Sequence, residues 1–242
     1  MEVCRGRVRL VFGSGSTGTE LAIENSLWAA ENGADILMIM PPYMIKPDAQ
    51  RTYEYFAAIA SAVDKPIMIQ DAPGACGVTM SVDTIVRLVE NFENICYVKA
   101  EAPPTFQKAK KIIDALGDKV SVFGGLNATF FYEELCCGVC GTMPAGEFPE
   151  VLVRVYDRFV SGDRKGAREE FYKYLPFIRL GSIPGGMAMA VHKEVLKKGG
   201  IFTCASVRNP YVPADGQLIG LVYDALDGLT LDALTWGERH AH

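Results

Sequence analysis

Six short apolar runs, separated by segments whose apolar residues fall at helical spacing, constrain this chain more than any other feature. The runs are Val8–Phe12, Asp35–Met40, Pro66–Gln70, Ile95–Lys99, Val120–Phe123 and Val139–Met143. They are apolar nearly throughout rather than alternating, the pattern of parallel strands covered on both faces. Between them Tyr53, Phe56, Ala57 and Ala60 form one helical stripe, Val82, Ile85, Val86 and Val89 a second, and Phe106, Ala109, Ile113 and Leu116 a third. Asp48 and Ser81 stand where N-caps belong, and Gly117 closes the third helix. Consecutive strand–helix units of similar length leave two architectures, an open doubly wound sheet or a closed β/α barrel. After Met143 the pattern is helical only, over Glu150–Ser161, Arg164–Leu180, Gly186–Lys198 and Gly216–Asp227. No linker or charge block marks a second independent domain. The expected division is a β/α part over residues 1–147 and a helical remainder over 148–242, within one domain.

Bulk properties exclude some functions. A net charge of -5 and a pI near 5.3 give no basic face for nucleic acid. No apolar run reaches the roughly 18–20 residues that span a bilayer. The opening segment Met1-Glu2-Val3-Cys4-Arg5-Gly6-Arg7 does not read as a signal peptide. Seven cysteines without secretory features read as reduced thiols, and a cytoplasmic location is expected.

Four constellations carry potential chemistry. Gly13-Ser14-Gly15-Ser16-Thr17-Gly18 is a G-x-G-x-x-G between a strand and a helix. A dinucleotide site would also need a carboxylate ending the next strand, which here ends Met40-Pro41-Pro42-Tyr43. A tight glycine turn at the strand rim explains the motif as well. Cys136, Cys137 and Cys140 lack a second ligand pair at matching spacing, and none of His192, His240, His242 and Cys204 supplies one. They read as small buried residues at a helix end, and no metal or cofactor is expected. Lys99 ends a buried strand, at the end where β/α barrels keep their chemistry. Burial favours a neutral amine there, the form that attacks a ketone, and the alternative is a lysine snorkelling to solvent. Gln70 and Asp71 end the preceding strand before Pro73-Gly74, either as a polar rim beside Lys99 or as turn chemistry.

In order and spacing, these segments resemble the dihydrodipicolinate synthase / N-acetylneuraminate lyase family over most of the chain. The resemblance rests on Gly33-Ala34-Asp35 leading to Pro42-Tyr43 and Lys46-Pro47, and on Gln70–Gly77 as the family's Tyr-Asn-x-Pro-x-x-Thr-Gly turn. Val98-Lys99, Phe123-Gly124-Gly125 and Gly141-Thr142-Met143-Pro144 then match the following strand ends. It implies a (β/α)8 TIM barrel, usually tetrameric, with Lys99 as the residue that forms an imine with a 2-oxo acid. Val8–Phe12 matches the family's third strand, so the first two β/α units and their carboxylate-holding loop are expected to be missing, with weak turnover as the consequence. The C-terminal helices form an extension.

Three departures speak against dihydrodipicolinate synthesis. Gln70 replaces the proton-relaying tyrosine, Met44 a second aromatic, and Ala75 the arginine that grips a substrate carboxylate. Gln70-Asp71-Ala72-Pro73, the stretch Val98–Pro104, Gly141–Pro144 and Phe148-Pro149-Glu150 resemble instead the branch containing 2-keto-3-deoxy-L-arabonate dehydratase. The expected activity is therefore class I dehydration of a 2-keto-3-deoxy sugar acid. Lys99 and Gln70 are the catalytic candidates, and Tyr43, Glu101, Gly125, Asn127 and Thr142 are the substrate-binding candidates. A pyruvate-releasing aldolase, a non-catalytic assembly module and, more distantly, a glycine-loop oxidoreductase are the alternatives.

Overall fold

The computed structural model describes residues 3, 4, 6–183 and 186–239. Met1, Glu2 and Arg5 of the opening segment, and His240 and His242, lie outside the described residues. The β/α elements are β1 (Val11–Gly13), α1 (Thr19–Glu31), β2 (Ile36–Ile39), α2 (Ala49–Ala62), β3 (Ile67–Asp71), α3 (Pro73–Cys76), α4 (Val82–Asn91), β4 (Ile95–Ala100), α5 (Thr105–Leu116) and β5 (Ser121–Gly124). There follow α6 (Phe131–Cys136), β6 (Gly141–Thr142), α7 (Pro149–Val160), α8 (Arg164–Leu180), α9 (Met187–Lys198), α10 (Gly216–Ala225) and α11 (Trp236–Arg239). The chain divides into two compact units: Met1–Gly125 with Cys136–Thr142, and Leu126–Leu135 with Met143–His242.

The first unit is a six-stranded parallel sheet in the sequential order β1 to β6. The fold is therefore α/β with parallel strands, and the recorded pairings stop at β6. Continuous burial of Ile67, Met68 and Ile69 in β3 matches a strand covered on both faces. Helix α1 packs on α2, α2 on α4 and α4 on α5. The caps fall where the sequence puts them: Asp48 accepts from Arg51 N at 2.8 Å, Ser81 accepts from Thr84 N at 3.0 Å, and Gly117 ends α5 at φ +54°. Each such side-chain cap contributes about 1 kcal/mol.

Several elements differ from expectation. Pairing of the first strand begins only at Leu10, because Leu10 N donates to the Asp35 carboxylate while Asp35 N and Ile36 N donate to Leu10 O. The last strand shrinks to Gly141 and Thr142. In α2 the buried face is Thr52, Tyr55, Phe56, Ile59 and Ala60, so Tyr53 and Ala57 turn partly outward. Tyr55 is drawn in by its hydroxyl, which donates to Ser16 O at 3.0 Å and accepts from Ser16 N at 3.1 Å. The Pro73-Gly74 turn is the start of a one-turn helix, closed by Gly77 at φ +70°. The three clustered cysteines are not buried. Cys136 and Cys140 are exposed and Cys137 is half-buried, because α6 ends at Cys136 and the chain turns at Gly138, φ +95°.

The second unit is helical. Within it α7 packs on α8, and α10 on α8 and α9. Phe148, Phe171 and Phe177 are fully buried, with Phe148 and Phe177 edge to face at 5.5 Å. A buried side chain of this size is worth about 1.5–3 kcal/mol. Glu147, fully buried, lies 2.6 Å from Nδ1 of the buried His192.

Candidate active site

The register between β3 and β4 decides which side chains meet. Ile67 pairs with Ile95 but Met68 pairs with Tyr97, so the register shifts by one residue at Cys96. From there Gln70 stands opposite Lys99 and Asp71 opposite Ala100. Register partners project to the same side of a sheet, and a slip of one residue would exchange the faces. Irregularities of this kind re-aim side chains near functional sites.

Lys99 is 9% exposed, at the carboxyl end of β4. Its Nζ lies 3.2 Å from Oε1 of Glu101, itself 8% exposed. Nε2 of Gln70 donates to the other oxygen, Oε2 of Glu101, at 2.8 Å. Glu101 is tied to the preceding strand by its own backbone, since its N–H donates to Asp71 O at 3.0 Å. Gly125 lies beside it, and a β-carbon there would overlap the Glu101 carboxylate. Lys99 does not snorkel to water. Its burial comes with a counter-charge that the sequence reading does not assign to it.

Behind this group Asp71 is fully buried and ion-paired with Lys108, whose Nζ also donates to Met80 O at 2.5 Å. Burial pushes the Asp71 carboxyl above the usual carboxylate range, and Lys108 opposes that rise without cancelling it. Lys108 is missing from the sequence-based candidates. On α5 it has the spacing of an ordinary solvated lysine, and only the tertiary fold turns it toward β3.

Tyr43 is 48% exposed, four residues beyond the end of β2, with Met44 and Ile45 exposed beside it. Thr142 pairs through its strand with Gly124, and its Oγ1 is buried without a hydrogen-bond partner among the described residues. Asn127 belongs to the other unit, in left-handed backbone (φ 53°, ψ 36°), where its Oδ1 accepts from Ala145 N at 3.1 Å. The glycine loop is held by its own neighbours: Ser14 N donates to Met38 O, and the Ser14 and Ser26 hydroxyls meet at 2.9 Å. Among the described residues no group of three or more His, Cys, Asp or Glu is arranged to hold a metal ion. No helix among them is long and apolar enough to cross a membrane.

The arrangement is an α/β fold with a sequential parallel sheet and a buried lysine, paired to a carboxylate, at a strand's carboxyl end, the end at which β/α barrels keep their sites. The chain belongs to the dihydrodipicolinate synthetase family, whose model matches residues 1–226. It is 33% identical over 230 residues to a 4-hydroxy-tetrahydrodipicolinate synthase of Geotalea uraniireducens, covering 92% of this chain and 76% of that one. It is 29% identical over 215 residues to the L-2-keto-3-deoxyarabonate dehydratase of Azospirillum brasilense, covering 87% and 68%. A Pelobacter propionicus 4-hydroxy-tetrahydrodipicolinate synthase is 37% identical over 165 residues, 67% of this chain and only 56% of that relative. Among solved structures, the dihydrodipicolinate synthase of Acinetobacter baumannii, complexed with pyruvate, superimposes with a TM-score of 0.85 at 28% identity, covering 95% of this chain and 78% of that one.

Proposed function

We propose that the protein is a class I lyase that forms an imine between Lys99 and the C2 ketone of a 2-keto-3-deoxy sugar acid and eliminates water. The observation that carries this reading is the placement of Glu101, with one oxygen 3.2 Å from Lys99 Nζ and the other held by Gln70. Glu101 can take the ammonium proton, freeing the lone pair that attacks C2. Loss of water from the carbinolamine gives the iminium, an electron sink that acidifies the C3 protons. Removal of one proton gives the enamine, whose electrons expel the C4 hydroxyl as it is protonated and leaves as water. A further water hydrolyses the iminium, releasing the 2-oxo product and restoring the amine.

With glutamine in place of the family's tyrosine, the proton carrier is a water, a substrate group or Glu101. The geometry favours Glu101, because Gln70 has no titratable proton and serves to orient the carboxylate. The oxygen of Thr142 at the end of β6 is a candidate to meet a substrate oxygen, since its buried hydroxyl lacks a partner among the described residues. Tyr43, Gly125 and Asn127 remain proposed substrate contacts. The pyruvate held by the A. baumannii relative supports a 2-oxo acid, and the A. brasilense dehydratase supports elimination.

The synthase names of other relatives favour a second reading, an aldolase in which the same enamine arises by breaking C3–C4. Product analysis separates the two: pyruvate with an aldehyde marks the aldolase, and a semialdehyde without pyruvate marks the dehydratase. Borohydride reduction in the presence of a 2-oxo acid tests the shared step and is expected to add the reduced adduct's mass to Lys99. A wild-type-like adduct in Lys99→Ala would overturn the proposal. No adduct in the folded protein would favour the non-catalytic assembly module. Weak turnover, a homo-oligomeric state and a cytoplasmic location belong to the same proposal, and are read by the activity assay, sedimentation and fractionation.

A further inference from the structure

Glu101 stands one residue beyond the end of β4, so the strand ladder alone does not fix it. A working side chain has to be held to within about 0.5 Å by neighbours that are themselves locked. Gln70 and Lys99 hold the carboxylate itself. The segment that carries it is held by Asp71, the last residue of β3, which acts on both of its ends.

The Asp71 carbonyl accepts from Glu101 N at 3.0 Å. Its side chain is fully buried, and Oδ2 is ion-paired with Nζ of Lys108 in the first turn of α5. The stretch from Glu101 to Lys108 is therefore closed on one residue, by backbone at its start and by a side chain at its end. A second ring shares that residue. Oδ1 of Asp71 accepts from Met80 N at 3.3 Å, which closes the loop 72–80, and Lys108 Nζ joins the two rings by donating to Met80 O at 2.5 Å. Loop 72–80 is stiffened by its own bonds: Ala75 N and Cys76 N donate to Ala72 O, and Gly77 N donates to Pro73 O. Desolvating an ammonium group is costly, and a packed apolar pair could hold α5 against β3 as firmly. What the ion pair adds is a fixed geometry, with both backbone groups of Met80 and the start of α5 tied to one carboxylate.

We infer that Lys108 is a positioning residue for the reaction proposed above. With Asp71 and Met80 it fixes the segment that carries Glu101, and so keeps that carboxylate on the Lys99 amine. The inference rests on the proposed chemistry for its effect on turnover, whereas the placement of Glu101 can be read without substrate.

The test uses the double variant Asp71→Asn/Lys108→Met. Lys108→Met alone leaves Asp71 buried without its counter-charge and can unfold the protein. The double variant removes both charges and should keep a Tm close to that of the wild type. In the folded, substrate-free protein, trace labelling with acetic anhydride is read by peptide mass analysis. It should rise several-fold at Lys99 relative to the exposed Lys165, because a displaced carboxylate neither pairs with the amine nor covers it. With substrate, kcat should fall by about 10–100-fold, and kcat/KM with it. Lys108→Arg keeps the charge and should recover most of both losses. Wild-type labelling of Lys99 in the folded double variant, or wild-type kcat at wild-type Tm, overturns the inference and leaves the pair a packing device. So does a loss in Lys108→Arg as large as in the double variant. The imine reading fails separately, through the absence of a borohydride adduct on wild-type Lys99, and the labelling then still decides whether Lys108 positions Glu101.

Discussion

Gln70 and Lys99 face one another across β3 and β4 only because the register slips by a residue at Cys96. Without the slip Gln70 would stand opposite Val98. The consequence is chemical, since Glu101 is then held from two sides, by the Gln70 amide and by the Lys99 ammonium group.

Glu101→Gln should lower kcat by about 10²–10⁴-fold, the usual worth of a positioned acid or base. Borohydride should still trap substrate on Lys99 in this variant, but more slowly, because the amine remains while the acceptor of its proton is lost. Steady-state kinetics with mass analysis checks this, and unchanged kcat would remove Glu101 as the proton carrier.

Gly125→Ala places a methyl group where the Glu101 carboxylate sits. Overpacking of this kind costs about 1–3 kcal/mol. Activity should fall as far as in Glu101→Gln, while urea denaturation shows a folded protein. Wild-type activity would mean that Glu101 can move without consequence.

Asp71 supplies a pH dependence of stability. Its carboxyl titrates above the ordinary carboxylate range in the folded protein, chiefly through burial. The folded state therefore holds this proton more tightly than the unfolded chain. Its contribution is complete below the unfolded value and declines as pH rises through the folded one. The stability gap between wild type and Asp71→Asn should shrink as pH rises from the ordinary carboxylate range, measured by urea unfolding at each pH. A gap that widens would contradict the assignment.

Glu147→Ala removes the partner of His192 Nδ1 inside the helical unit and should cost about 1–3 kcal/mol, whereas Glu147→Gln retains a hydrogen-bonding group and should cost less. Thermal unfolding compares the two. Equal losses would show that packing, and not the bond, is what the site requires.

The strand–helix alternation, the caps at Asp48 and Ser81 and the strand-end position of Lys99 were legible in the chain itself. Each is a local matter: periodicity, a short polar side chain before a helix, or the last residue of an apolar run. Other features depend on partners far apart in sequence and left no local signal. The slip at Cys96 arises between two strands, the inward turn of Lys108 depends on a buried Asp71, and the Tyr55 hydroxyl is claimed by Ser16, thirty-nine residues away. The exposure of Cys136 and Cys140 is likewise set by where α6 ends rather than by their apolar character. Sequence thus determined which elements form and where the Lys99 amine sits. Only the tertiary structure decided which carboxylate stands beside it, because charge pairing and burial are properties of neighbours in space.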